Sequence, residues 1–169
     1  MLAVGLNSGI YKILLLLHIL TVVVGIGAVM LNGIYAAQSQ KNPGAPGRAI
    51  SEANEYVSSV AEKVIYLIPI FGILLVLVSD DAWKFSQTWI WLAILVYIAA
   101  IGVAHSVLIP GHRRINELLR EMENAPPAGG APPQVAEIEK LGQRQAMAGM
   151  FNNLAVVVLI ALMIWKPGV

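Results

Sequence analysis

The chain contains no cysteine. That excludes disulfides, thiolate metal sites and a cysteine nucleophile. Charge is scarce too: Asp, Glu, Lys and Arg make up 12% of the 169 residues, against about 25% in an ordinary soluble domain. Much of the surface is therefore not built to face water. Neither sign of charge prevails. The formal net charge is +1, which gives no electrostatic footprint for a nucleic-acid partner. No Gly-rich phosphate loop, no HExxH and no Ser–His–Asp arrangement at usable spacing occurs. The sequence accordingly predicts neither catalytic residues nor a metal site, and reads as a non-enzyme.

What it has in abundance is apolar sequence, 57% of all residues. Four runs are long enough to cross a bilayer, at about residues 10–36, 60–78, 87–109 and 146–165. Each approaches the roughly 20 apolar residues that a spanning helix needs. They are too continuous for the alternating strands of a barrel. The first run exceeds a signal-peptide core and lacks an A-x-A site, so it is read as a retained span. The expected fold is all-α: one membrane domain over 1–169, with four transmembrane helices in an antiparallel bundle.

Basic residues are shared unevenly. Lys41, Arg48, Lys63, Arg113, Arg114, Arg120, Lys140 and Arg144 flank or fill the first and third loops, while only Lys12, Lys84 and Lys166 lie at the other end. The positive-inside rule then places those loops in the cytoplasm and both termini outside. Trp83, Trp89, Trp91 and Trp165 all fall at the outer end, as interfacial anchors would.

The loops differ in character. Gln38–Ala49 is rich in Pro and Gly and reads as a turn-rich connector. Pro69 is expected to kink the second span. Pro110-Gly111 is expected to end the third. An interfacial loop over 110–145 follows, in which Ile115, Leu118, Leu119 and Met122 share a helix face. That amphipathic helix is expected on the inner membrane surface or against a partner. Asn124–Pro133 reads as a flexible break.

The polar residues inside the spans are the candidate sites. His18, Gly25 and Asn32 recur every seven residues and share a face with Thr21, Ala28 and Tyr35. Stripes of small and polar residues let membrane helices pack closely, so Gly25, Ala28 and Asn32, with Asn152 and Asn153 on the fourth span, are assigned to helix packing. An ionisable residue within the bilayer is a functional hypothesis by default. His18 is read either as an interhelical hydrogen-bonding group or as an axial ligand of haem b. His105 lies roughly 15 Å deeper at 1.5 Å per residue, too far to share an iron with it. His105, Asn32, Tyr66, Asn152 and Asn153 instead suggest one inner polar layer, in which His105 contacts water, a lipid or a quinone headgroup. Glu62 is placed to meet His105 or Arg144, and His112 at the surface.

Tyr11-Lys12-Ile13, Leu17-His18-Ile19, Gly25, Gly27 and Pro110-Gly111-His112-Arg113-Arg114 resemble a family of predicted bacterial integral membrane proteins, domain-of-unknown-function family 2269. A more distant similarity, through His18, is to four-helix haem-binding protoporphyrinogen oxidases and copper-resistance membrane domains. The chain departs from these in having Val22-Val23-Val24 where a tryptophan typically follows the histidine. The resemblance implies a multi-pass protein of the bacterial inner (cytoplasmic) membrane and no established reaction. The function expected is that of a small non-catalytic subunit of a larger membrane complex of respiratory or photosynthetic electron transfer. Its partners would be lipid and other membrane subunits or itself. A b-type haem protein using His18 is the alternative.

Overall fold

The computed structural model describes residues 5–124 and 133–169. Four long helices, each apolar enough to cross a membrane, account for most of them: α1 (Gly9–Lys41), α2 (Ala45–Leu77), α3 (Thr88–Asn124) and α4 (Gln134–Trp165). No strand occurs among the described residues. Each helix has 32 to 37 residues, or about 50 Å at 1.5 Å per residue. A hydrocarbon core is about 30 Å thick. All four helices therefore run well beyond the apolar band. The excess lies at the end that carries the first and third loops, here called the charged end.

The first connector is much shorter than its Pro and Gly content suggests. Only residues 42–44 interrupt the helices. Gly44 takes φ 81°, a left-handed conformation open to glycine. Pro46 falls in the first turn of α2, where its missing N–H costs nothing. Ser39 Oγ then donates to the Gly47 carbonyl at 2.7 Å and ties the hairpin.

Pro110-Gly111 does not end the third span. Helix α3 passes through it without interruption after a π-helical turn over Ala104–Leu108. Gln145 of α4 braces this turn, donating Nε2–H to Val107 O (3.2 Å) and Leu108 O (2.9 Å). Gly111 leaves the room, since a Cβ there would overlap the Gln145 side chain. The amphipathic helix is thus the extension of α3, Ile109–Asn124. Its apolar face is covered by the matching extensions of α2 and α4, and Leu118 is 1% exposed. Of the expected break at Asn124–Pro133, residues 125–132 lie outside the described residues.

Close packing is sequential. Helix α1 lies along α2 for its whole length, and α3 lies along α4. Helices α2 and α3 approach closely in their charged halves. In α2 the inward positions are Gly47, Ser51, Asn54, Ser58, Ala61, Ile65, Ile68, Gly72 and Leu75, all buried or half-buried. Their strict 4-3 spacing is a heptad seam, built from small and polar residues in the charged half and mostly from Ile and Leu beyond Ala61. Tyr11, Leu14, His18, Thr21, Gly25, Ala28 and Asn32 form the facing seam of α1, with a π-helical turn at Val22–Ile26. A Cβ on Gly25 would lie 2.9 Å from Ile65 Cγ1 and 3.2 Å from its backbone nitrogen. Gly25 is thus a point of close approach between the two helices within the apolar band.

Candidate functional site

His18 faces α2 and is half-buried. Its Nδ1 lies 3.0 Å from the carbonyl oxygen of Ile68. A carbonyl only accepts, so Nδ1 carries the proton and donates it, leaving Nε2 as the unprotonated nitrogen of the neutral ring. Gly72 makes room for the ring: a Cβ there would lie 3.3 Å from His18 Cε1. One turn on, buried Thr21 donates Oγ1–H to the His18 carbonyl at 2.8 Å.

The deeper polar residues form separate clusters rather than one layer. Asn32 accepts from Ser58 Oγ at 3.2 Å, between α1 and α2. Tyr66, Glu62 and His105 meet between α2 and α3. Tyr66 Oη bonds the Glu62 carboxylate and lies 2.7 Å from His105 Nε2, which is itself 3.3 Å from Glu62 Oε1. His105 Nδ1 donates to Ile101 O at 3.0 Å. Tyr66 donates its single hydroxyl proton to the Glu62 carboxylate. Glu62 meets His105 and not Arg144. Asn152 and Asn153 belong to neither cluster: among the described residues neither side chain hydrogen-bonds to Asn32, Ser58, Tyr66, Glu62 or His105.

The Glu62–His105 pair lines an open cleft of about 430 Å³, with Ile109, Pro110, Arg113, Arg114 and Glu117. Arg114 is held by three carboxylates, Glu137 at 3.0 Å and Glu117 and Glu121 at 3.4 Å. Arg113 is exposed and has no side-chain partner among the described residues.

The charged halves carry a buried polar core. Ser51 Oγ donates to Asn116 Oδ1 at 2.5 Å, and Asn116 Nδ2 donates to Glu55. Arg120–Glu52 (2.9 Å) and Arg48–Glu123 (2.7 Å) flank it. Asn54, only 2% exposed, has neither amide atom paired among the described residues. The signal for Ser51 and Asn54 was present in the sequence: both continue the 4-3 spacing of Ala61, Ile68 and Leu75. His112, expected at the surface, is half-buried with Nε2 shielded, because the helix that carries it packs against its neighbours.

At the opposite end the four tryptophans divide. Trp91 and Trp165 are exposed, as belt residues would be, but Trp89 is buried at 7%. Trp83 Nε1 donates to Tyr11 Oη at 2.9 Å and meets Trp89 edge to face at 5.5 Å. Lys166 Nζ lies 4.0 Å from the Trp83 ring centroid. Tyr11 of α1, Trp89 of α3 and Lys166 after α4 are thereby joined through Trp83 of the α2–α3 loop.

Long apolar helices with a thin interior and charged extensions define a multi-pass, all-helical integral membrane protein. The chain belongs to the family described as Predicted integral membrane protein (DUF2269), whose model matches residues 12–167. Comparison with curated proteins and with solved structures returned no match.

Proposed function

We propose that this protein is a non-catalytic subunit that packs, through α4, into a larger assembly of a bacterial cytoplasmic membrane, of the respiratory or photosynthetic electron-transfer kind. Its charged end would face the cytoplasm, in keeping with the basic residues gathered there. The observation that supports subunit packing is Asn153. This amide is exposed and has no partner among the described residues. It stands among exposed Met150, Phe151, Leu154 and Val157. Twelve residues separate it from exposed Trp165, about 18 Å at 1.5 Å per residue. That depth is inside a hydrocarbon layer about 30 Å thick. A lone amide facing lipid is costly, and membrane helices relieve it by hydrogen bonding to another helix. Gly142 and Gly149 share its face, and a Cβ on either would meet nothing within 4 Å.

The test is mild-detergent extraction of a tagged chain, together with a differently tagged second copy. A stoichiometric partner, or the second copy, should come with the wild type and be lost in N153L. A wild-type monomer, or an N153L variant that keeps its partner, would overturn the reading.

A haem b on His18 is the second reading, favoured by the His18–Ile68 bond. Metal-bound histidines usually donate their other ring nitrogen to such an acceptor, and here Nε2 is left free to ligate. Haem would supply one-electron chemistry, and this chain would contribute His18 alone at that depth. The visible spectrum of the purified protein, oxidised and reduced, decides it: a Soret band lost in H18A supports haem, and a colourless wild type expressed with ample haem excludes it.

A further inference from the structure

We propose that the cleft between α2 and α3 binds the headgroup of an anionic phospholipid, with the Arg113 guanidinium as the partner of the phosphodiester. The position comes first. His105 is seventeen residues from Thr88 at the outer end of α3, about 25 Å down the helix. The cleft thus lies where a hydrocarbon layer of about 30 Å gives way to headgroups. Beyond His105 the lining turns from apolar, at Ile109 and Pro110, to charged, at Arg113, Arg114 and Glu117, with Arg113 about 12 Å further along α3. The cleft is open, with a volume of about 430 Å³.

The charges then select the ligand. Glu62 is engaged by Tyr66 and His105. Glu117 and Arg114 engage each other, and Arg114 is further held by Glu121 and Glu137. Arg113 is the lining charge left without a partner among the described residues. The lining holds two arginines and two glutamates, and a cationic fork without an ion-pair partner among the described residues accepts a phosphate or carboxylate. Access is lateral. Within the apolar band α2 pairs with α1, and α3 with α4, so the two hairpins meet mainly through Tyr97 and Tyr66. Exposed Leu67 on α2 and Ile98 on α3 offer apolar surface for acyl chains. The site uses neither Asn153 nor His18 and stands apart from the subunit reading.

Native mass spectrometry of the full chain in detergent tests it, with dioleoyl-phosphatidylglycerol and dioleoyl-phosphatidylcholine as probes. The wild type should retain phosphatidylglycerol about five-fold better than phosphatidylcholine, the effect of one interfacial arginine. R113Q should erase that preference and R113K should keep it. Arg113 is exposed, so these variants are expected to melt with the wild type. K41Q, which removes a charge at the same end outside the cleft, should leave the preference intact. Equal retention of the two lipids, equal behaviour of R113Q and wild type, or a loss in K41Q as large as in R113Q would overturn the proposal. Displacement of the lipid by millimolar inorganic phosphate would also overturn it, by showing a small-anion site.

Discussion

His18 Nδ1 and the carbonyl oxygen of Ile68 lie 3.0 Å apart, across the seam between α1 and α2. The bond explains how an apolar helix keeps a histidine: the half-buried ring reaches past Gly72 to a backbone acceptor on the neighbouring helix. Replacing it removes both the bond and a packed ring. H18A is expected to destabilise the protein by about 1–2 kcal/mol, combining a membrane hydrogen bond of about 0.6 kcal/mol with a partly filled cavity. Unfolding in mixed micelles followed by tryptophan fluorescence measures this. No loss beyond that of L17A, on the exposed face, would show that the ring contributes nothing to packing.

Gly25 and Gly27 are two residues apart and should respond oppositely to added bulk. A side chain on Gly25 meets Ile65 at once, while one on Gly27 meets nothing within 4 Å. Overpacking a helix seam costs about 1–3 kcal/mol, so G25L should lower stability by that amount. G27L should stay within about 0.5 kcal/mol of the wild type, as surface changes do. Equal losses in the same assay would contradict the close approach at Gly25.

Four spans could be read from the sequence because a hydrocarbon layer demands long apolar runs, and little else satisfies that demand. The seven-residue recurrence of His18, Gly25 and Asn32 was visible for the same reason, since a seam repeats with the helix. The path of α3 was not. Pro110-Gly111 carries a strong local stop signal, yet the helix runs through it and packs there against Gln145, 35 positions away, whose two hydrogen bonds no local pattern encodes. The meeting of Ser51 with Asn116 is equally non-local. The gathering of Trp83 and Trp89 with Lys166, which holds a left-handed backbone (φ 43°) beside the Trp83 ring, is likewise non-local, and spacing alone does not announce it.

Leu118 distinguishes a helix lying on a membrane from one packed against its neighbours. On a membrane surface its truncation would weaken lipid contact and leave the fold unchanged. In the structure it is among the most enclosed side chains, and L118A should cost about 2–5 kcal/mol, as core leucine truncations do. Leu119, half-buried beside it, should cost less. Thermal unfolding of both variants in one detergent gives the comparison, and indistinguishable midpoints for L118A and wild type would argue against the packed extension.

Pro69 and Tyr97 should prove energetically coupled although they sit on different helices. Proline has no N–H, so in a regular helix the carbonyl four residues earlier, Ile65, loses its usual donor. Tyr97 of α3 supplies a replacement: its hydroxyl donates to Ile65 O at 3.1 Å. Removing that hydroxyl leaves a carbonyl unpaired in an apolar setting, so Y97F is expected to cost about 0.5–1.5 kcal/mol. Restoring the donor should remove most of the penalty. In a P69A background the N–H of the new alanine can take the Ile65 carbonyl, and Y97F should then cost clearly less, with a coupling of at least about 0.5 kcal/mol. The four proteins of this double-mutant cycle are compared by unfolding in mixed micelles. Additive effects would mean that Tyr97 stabilises the hairpin contact by packing alone. A positive coupling would identify the tyrosine as the group that lets α2 carry a proline inside the membrane.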